Sequence, residues 1–223
     1  MLYLHDTYLF ESNASIINIL AHENQTVLIL DQTIFYPQGG GQPGNIGFIT
    51  SLNGNFEVQK TIFEQGQVWH LGQFTRGKFE IGQVVELKID QQKKLLNSQN
   101  HTAGHLIDLA IEKLALPLTP VKGYHFPDGA YVEYSGELAS LDIADKLEQK
   151  VNEIIEQNPK ISFELRESKH ESGKPMRIMK VEWFKNCPCG GTHVKSALEV
   201  GKIIIKKIKN NKGNIRISYQ IMA

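Results

Sequence analysis

The hydrophobic period of this chain first turns from strand-like to helical at Asp90, and that change limits what it can fold into. Upstream, apolar residues come in short or alternating runs, TVLIL, NIGFIT, FEVQKTIF, QVWHL and VVELKI, separated by turn-forming stretches such as QGGGQPG, SLNGN and EQGQ. A period of two broken by frequent glycine predicts strands and tight turns, so residues 1–89 are expected to form a small β-barrel-like domain.

From Asp90 the spacing becomes helical, with Leu95, Leu96, Ala103, Leu106, Ile107, Ala110, Ile111 and Leu114 on one side, and Pro117 and Pro120 are expected to end the helix. VKGYHF and GAYVEYSG read as a hairpin around PDG. A second helix is expected in SLDIADKLEQKVNEIIEQN, with Ser140 as N-cap and an apolar stripe at Ala144, Leu147, Val151, Ile154 and Ile155. KISFELRE, RIMKVEW, GKIIIKKI and NIRISYQI read as strands. Residues 90–223 are therefore expected to pack helices on an antiparallel sheet, and the fold class is α+β.

Composition narrows the setting. No basic start followed by an apolar stretch opens the chain, and nothing approaches the roughly 18 consecutive apolar residues of a membrane span. A soluble, cytoplasmic protein without a membrane partner is expected. Both cysteines, Cys187 and Cys189, stand one residue apart, which suits a metal better than a bracing disulfide. Net charge is zero, so any nucleic-acid contact must be local. The one basic concentration, Lys202, Lys206, Lys207, Lys209, Lys212 and Arg216, reads equally as a solvated strand face or as a phosphate-contacting patch.

The chemistry concentrates in two short motifs. His101 and His105 are four apart in the first expected helix, so their Cβ atoms lie roughly 5–6 Å apart on one face. Cys189 and His193 occupy CPCGGTH, whose glycines permit a turn that aims a thiolate and an imidazole at one point. Each half alone is weak. Together they make a Cys/His₃ set suited to tetrahedral Zn²⁺, while Cys187 reads either as a substitute ligand or as a loop thiol without a role. Four protein ligands would close the shell, as in structural sites, whereas a catalytic zinc keeps a position for water. The metalloprotease motif H-E-x-x-H is absent.

HTAGHL at 101–106, CGGTHV at 189–194 and FYPQGGGQPGNIG at 35–47 together resemble the signature segments of the alanyl-tRNA editing (AlaX) family and of the editing domain of alanyl-tRNA synthetase. The resemblance implies hydrolysis of serine, and of glycine, wrongly esterified to tRNA(Ala), with His101, His105, Cys189 and His193 as zinc ligands. Lacking an aminoacylation region, a chain of this length is expected to act in trans on charged tRNA. Many family members carry Glu and Asp where this chain has Gln38 and Asn45, which argues against a loop carboxylate as general base. Thr33, Gln38 and Gln42 are candidates for contacting the amino acid or the terminal adenosine, and Thr33 or Gln42 for pairing with the serine hydroxyl. Tyr124, His125 and Tyr134 are candidates either for stacking on the adenine or for core packing. Three alternatives stay open: a threonyl-type editing domain, a zinc-stabilised RNA-binding module without catalysis, and a metal-dependent hydrolase of a small ester or amide. The sequence assigns no oligomeric state.

Overall fold

The computed structural model describes residues 1–166 and 176–222, so Glu167, the end of an expected strand, and His170 lie outside the described residues. Two compact units emerge: residues 1–39 with 43–95, and residues 40–42 with 96–166 and 176–222.

The first unit is a closed antiparallel barrel of six strands, β1 (Glu11–His22), β2 (Gln25–Leu30), β3 (Gly47–Ser51), β4 (Gly54–Glu64), β5 (Gln67–Gly77) and β6 (Val84–Ile89), in the order β1-β2-β5-β4-β3-β6. Its interior is filled by Ile16, Leu28, Leu30, Ile49, Phe56, Val58, Leu87 and their neighbours. The unbroken apolar run of β2 is explained by two covered faces, because Val27 and Ile29 pack outside the interior against Trp69 and Leu71. β1, the longest strand, escaped the sequence pattern. Its register with β2 shifts between Ile16 and Asn18, and the extra residue, Ile17, is 46% exposed, so the apolar spacing there does not alternate.

Helix α1 (Gln91–Lys113), which belongs to the second unit from Leu96 onward, is capped at its start by Asp90, whose Oδ1 accepts the Lys93 N–H. It ends before Pro117, in a left-handed turn at Ala115 where the N–H groups of Ala115 and Leu116 donate to Glu112 O and Ile111 O. β7 (Leu118–Tyr124) therefore begins earlier than expected and includes Pro120, which is tolerated because β7 lies at a sheet edge and its register slips between Pro120 and Lys122. β8 (Tyr131–Gly136) completes the hairpin. Helix α2 (Ala144–Gln157) begins after Ile143, so Ser140 is not its N-cap. The Ser140 hydroxyl instead accepts the Asp142 N–H in the preceding turn. The expected stripe is buried at Leu147, Val151, Ile154 and Ile155, each such side chain contributing about 1.5–3 kcal/mol on removal from water.

The single sheet expected for this half is two. β9 (Ile161–Arg166), β10 (Met176–Val181) and the short β11 (Cys187–Pro188) form one, and β12 (Lys202–Asn211) and β13 (Asn214–Met222) join β8 and β7 in the order β12-β13-β8-β7. The CPCGG turn folds back on β10, which leaves the last hairpin to pair with β8. Buried faces of both sheets and both helices share one core, from Leu106 and Val151 to Met179 and Ile217. Among the described residues no helix is long and apolar enough to cross a membrane.

Candidate metal centre

Helix geometry brings His101 and His105 together as their spacing requires, with stacked rings 5.3 Å apart. The other pair is held by the sheet. Cys187 and Pro188 pair with Met179 and Ile178, and Cys189 N–H donates to Arg177 O at 2.9 Å, so the turn leaves β11 with Cys189 already pinned. Gly191 then passes so near the His101 ring that a Cβ there would overlap its Cε1 and Nδ1. The Arg177 guanidinium donates to Gly191 O while lying 3.5 Å over the Phe163 ring, which fixes the turn from its other side.

One donor atom from each of His101, His105, Cys189 and His193 lies within 4.8 Å of the others. Cys189 Sγ is 3.2 Å from His193 Nε2 and 3.5 Å from His101 Nε2. Bond lengths of about 2.0 and 2.3 Å in a tetrahedron place such atoms roughly 3.5 Å apart, so the spacing fits a shared zinc ion. His105 Nε2 is buried with no hydrogen-bond partner, a costly state for an imidazole nitrogen and one that a bound cation would relieve.

The opposite nitrogen of each imidazole meets a protein group. His101 Nδ1 lies 2.7 Å from Gln42 Oε1, His193 Nδ1 lies 3.3 Å from Thr102 Oγ1, and His105 Nδ1 lies 3.5 Å from Asp108 Oδ2. Asp108 is held in turn by the Tyr134 hydroxyl at 2.6 Å, and Gln42 by Thr192, whose N–H donates to Oε1 at 3.0 Å and whose hydroxyl accepts from Nε2 at 2.7 Å. Metal-binding histidines are oriented in this manner, with Nδ1 tied and Nε2 presented. Cys187 stands apart from the four donors, 3.9 Å from His105 Nδ1.

Burial, reinforced by neighbouring imidazoles and Arg177, pushes His101 and His193 well below the usual histidine range, leaving lone pairs available. For His105 burial acts in the same direction but is outweighed by Asp108 at its Nδ1 and by the neighbouring Cys187 and Cys189 thiols, which hold it well above that range. Burial raises the Cys189 thiol, yet His105, the Gly191 backbone and Arg177 together bring it below its ordinary value. The cationic pull that lowers the Cys189 thiol is of the kind a bound divalent ion would supply more strongly, since metal binding releases the ligand's proton.

His125 packs on His101 with ring centroids 4.5 Å apart. Its Nδ1 is 2.8 Å from the Tyr219 hydroxyl, which donates its own proton to Asn100 O, so the imidazole must donate from Nδ1. Burial lowers its pKa to about 3. Its backbone N–H donates to Gly41 O, and Gly41 adopts φ +77° where a Cβ would strike Gly123 O. On the far side of His105, Asp108, Leu116, Tyr134, Phe184 and Cys187 line a cavity of about 590 Å³.

The three polar loop candidates part company. Gln42 is wholly buried against His101. The Thr33 hydroxyl lies in the barrel unit, 2.8 Å from His70 Nε2, and accepts the Phe35 N–H. Gln38 has an exposed side chain, while its N–H donates to Thr61 O at 2.8 Å. Asn45 braces the same loop, its Oδ1 accepting the Tyr36 N–H. Asp108 could have been found from sequence, since it follows His105 by three positions on the same helical face. Arg177, Thr102 and Thr192 carry no comparable signal.

Residues 6–93 match the family described as tRNA synthetases class II (A), and residues 176–218 match the threonyl and alanyl tRNA synthetase second additional domain, which includes Cys189 and His193. The alanyl-tRNA editing protein AlaX-M of Pyrococcus horikoshii is 34% identical over 94% of this chain and 90% of its own length. The chain belongs to the alanyl-tRNA editing family. A longer relative from the same organism, AlaX-L, is also 34% identical over 97% of this chain, but the chain spans only 56% of it. Alanine–tRNA ligase 1 of Lachnoclostridium phytofermentans is 32% identical over 83% of this chain, which covers 22% of that enzyme. The match to AlaX-M covers 94% of this chain and so takes in His101 and His105, which fall between the two segments matched by the family models.

Proposed function

We propose that this protein hydrolyses the ester of serine, and of glycine, wrongly attached to tRNA(Ala), at a zinc ion held by His101, His105, Cys189 and His193. The observation that carries the reading is the shared orientation of the imidazoles: Nδ1 tied to Gln42, Asp108 and Thr102, with the opposite edges grouped around Cys189 Sγ. A zinc ion bound there would supply Lewis-acid polarisation to an ester that is already reactive.

The chain's own groups position the rest. Gln42 acts through His101, Asp108 with Tyr134 acts through His105, and Thr102 acts through His193. The cavity lined by Asp108, Tyr134 and Cys187 is of the size that holds a small ligand, but it borders the Nδ1 edge of His105 and not the donor cluster, so no aminoacyl contact is assigned to it. Thr33 is assigned a barrel role because His70 and Phe35 already engage its hydroxyl. Gln38, with its exposed side chain, remains the loop residue for substrate contact. A second site of this type answers a physical problem: a pocket shaped for alanine cannot strongly reject the smaller glycine or the near-isosteric serine. The substrate implies a cytoplasmic location, and the alanyl relatives favour this reading over a threonyl specificity.

The test is hydrolysis of Ser-tRNA(Ala) beside Ala-tRNA(Ala), before and after chelation, with zinc content measured on the same samples. Zinc-dependent loss of serine with alanine spared supports the proposal. Bound zinc with neither ester hydrolysed transfers the site to a structural role and the protein to the RNA-binding modules.

A further inference from the structure

We infer that the outer face of the sheet β12-β13-β8-β7 is an RNA-docking surface, which grips phosphates through β12 and stacks an unpaired base on Phe126. The inference rests on the proposed tRNA substrate and adds where on the second unit that RNA is held.

One face of this sheet is closed, with Ile203, Ile205, Ile217 and Val132 packed into the core. Strand register places two cross-strand rows on the other. Lys207, Ser218, Tyr131 and Tyr124 make one row, and Lys209, Arg216, Glu133 and Lys122 make the next. Lys207, Lys209 and Lys122 are exposed, and among the described residues neither Lys207 nor Lys209 is held in an ion pair. Glu133, the acid of these rows, is buried, bound to Arg216 and Asn211 and paired across the strands with Lys122, so it leaves Lys207 and Lys209 uncancelled.

Beside the lysines stands a ladder of flat groups. Phe126 stacks on Tyr124 at 4.4 Å, Tyr124 on Tyr131 at 5.2 Å, and the Arg216 guanidinium lies 3.9 Å over Tyr131. Arg216 ends the ladder at one side and half-buried Phe126 ends it at the other, where a nucleobase would extend the stack. Solvated lysines next to stacked aromatics on a sheet face are the elements of single-strand recognition, one set meeting phosphates and the other bases. Strand alternation ties this face to the metal cluster: Tyr124 and Phe126 belong to the outer ladder, while His125 between them turns inward onto His101.

The experiment compares wild type with Lys207→Gln/Lys209→Gln and Phe126→Ala. Binding of uncharged tRNA(Ala) is measured by anisotropy across a salt series, and hydrolysis is measured on Ser-tRNA(Ala) and on the serine 3′-ester of adenosine. The expected result for the lysine pair is weaker tRNA binding with a salt slope reduced by about 2, and a lower kcat/KM on Ser-tRNA(Ala) with the adenosine ester unaffected. For Phe126→Ala the expected loss is roughly tenfold to hundredfold for tRNA with its unpaired 3′ end, and little for a blunt RNA duplex. Wild-type affinity and salt slope in the lysine variant would overturn the docking face while leaving deacylation standing. So would an equal loss on the adenosine ester, or lysine-dependent binding to phosphatidylserine vesicles instead of tRNA. Lost tRNA binding in the variants of a protein that hydrolyses neither ester would uphold the face and remove the deacylase reading.

Discussion

Gln42 Oε1 stands 2.7 Å from His101 Nδ1 and receives the Thr192 N–H at 3.0 Å, so a single amide oxygen links the glycine-rich loop to both halves of the metal centre. The oxygen accepts from Nδ1–H, which leaves the lone pair of His101 at Nε2. Replacing Gln42 by leucine keeps the bulk and removes the acceptor. Zinc affinity, measured by competition with a chromogenic chelator, should fall about tenfold to a hundredfold. Gln42→Glu retains the acceptor and should lose less.

His105→Ala removes a ligand whose partnerless Nε2 is one of the clearest marks of the site. Bound zinc and Ser-tRNA(Ala) hydrolysis should both fall by most of their value, as they should for Cys189→Ser. Cys187→Ser should keep its metal, because that sulfur faces His105 Nδ1 rather than the donor cluster. Unchanged zinc in His105→Ala would refute the ligand set.

Gly191→Ala alters no ligand, yet its methyl group would occupy the space of the His101 ring. Atomic absorption on the purified variant should show reduced zinc, and melting temperature should become less responsive to added zinc than in wild type.

His70 is buried and its pKa is lowered to about 4, chiefly by desolvation. The unfolded chain then binds a proton near pH 6.5 while the folded chain does not until about pH 4. Stability should therefore be full above pH 6.5 and decline as pH falls through that window, by about 3 kcal/mol from this residue. Urea unfolding of wild type and His70→Asn at pH 7 and pH 4.5 should show a smaller decline in the variant.

Where sequence pattern and fold agree, the periodicity was regular. The stripe Leu147, Val151, Ile154 and Ile155 has one solution, and so do His101 and His105 four apart on a helix. β1 is illegible because the register slip inserts Ile17 as an extra, exposed apolar residue, which breaks the alternation a half-buried strand should show. Ser140 looked like a cap because caps are local, but the helix starts where its first core residue, Leu147, can reach the interior. Arg177 could not be found at all: its role exists only once β10 lies alongside the CPCGG turn, 14 residues downstream.

The placement of residues 40–42 with the second unit bears on how this fold can be handled as parts. Cutting at the change of period near Asp90 would yield a fragment with all four metal donors and no Gln42. Such a fragment would be a chelator with one arm unsteered. Grafting the editing half into another protein would thus require carrying a short peptide from the barrel half, or supplying its amide from the new host.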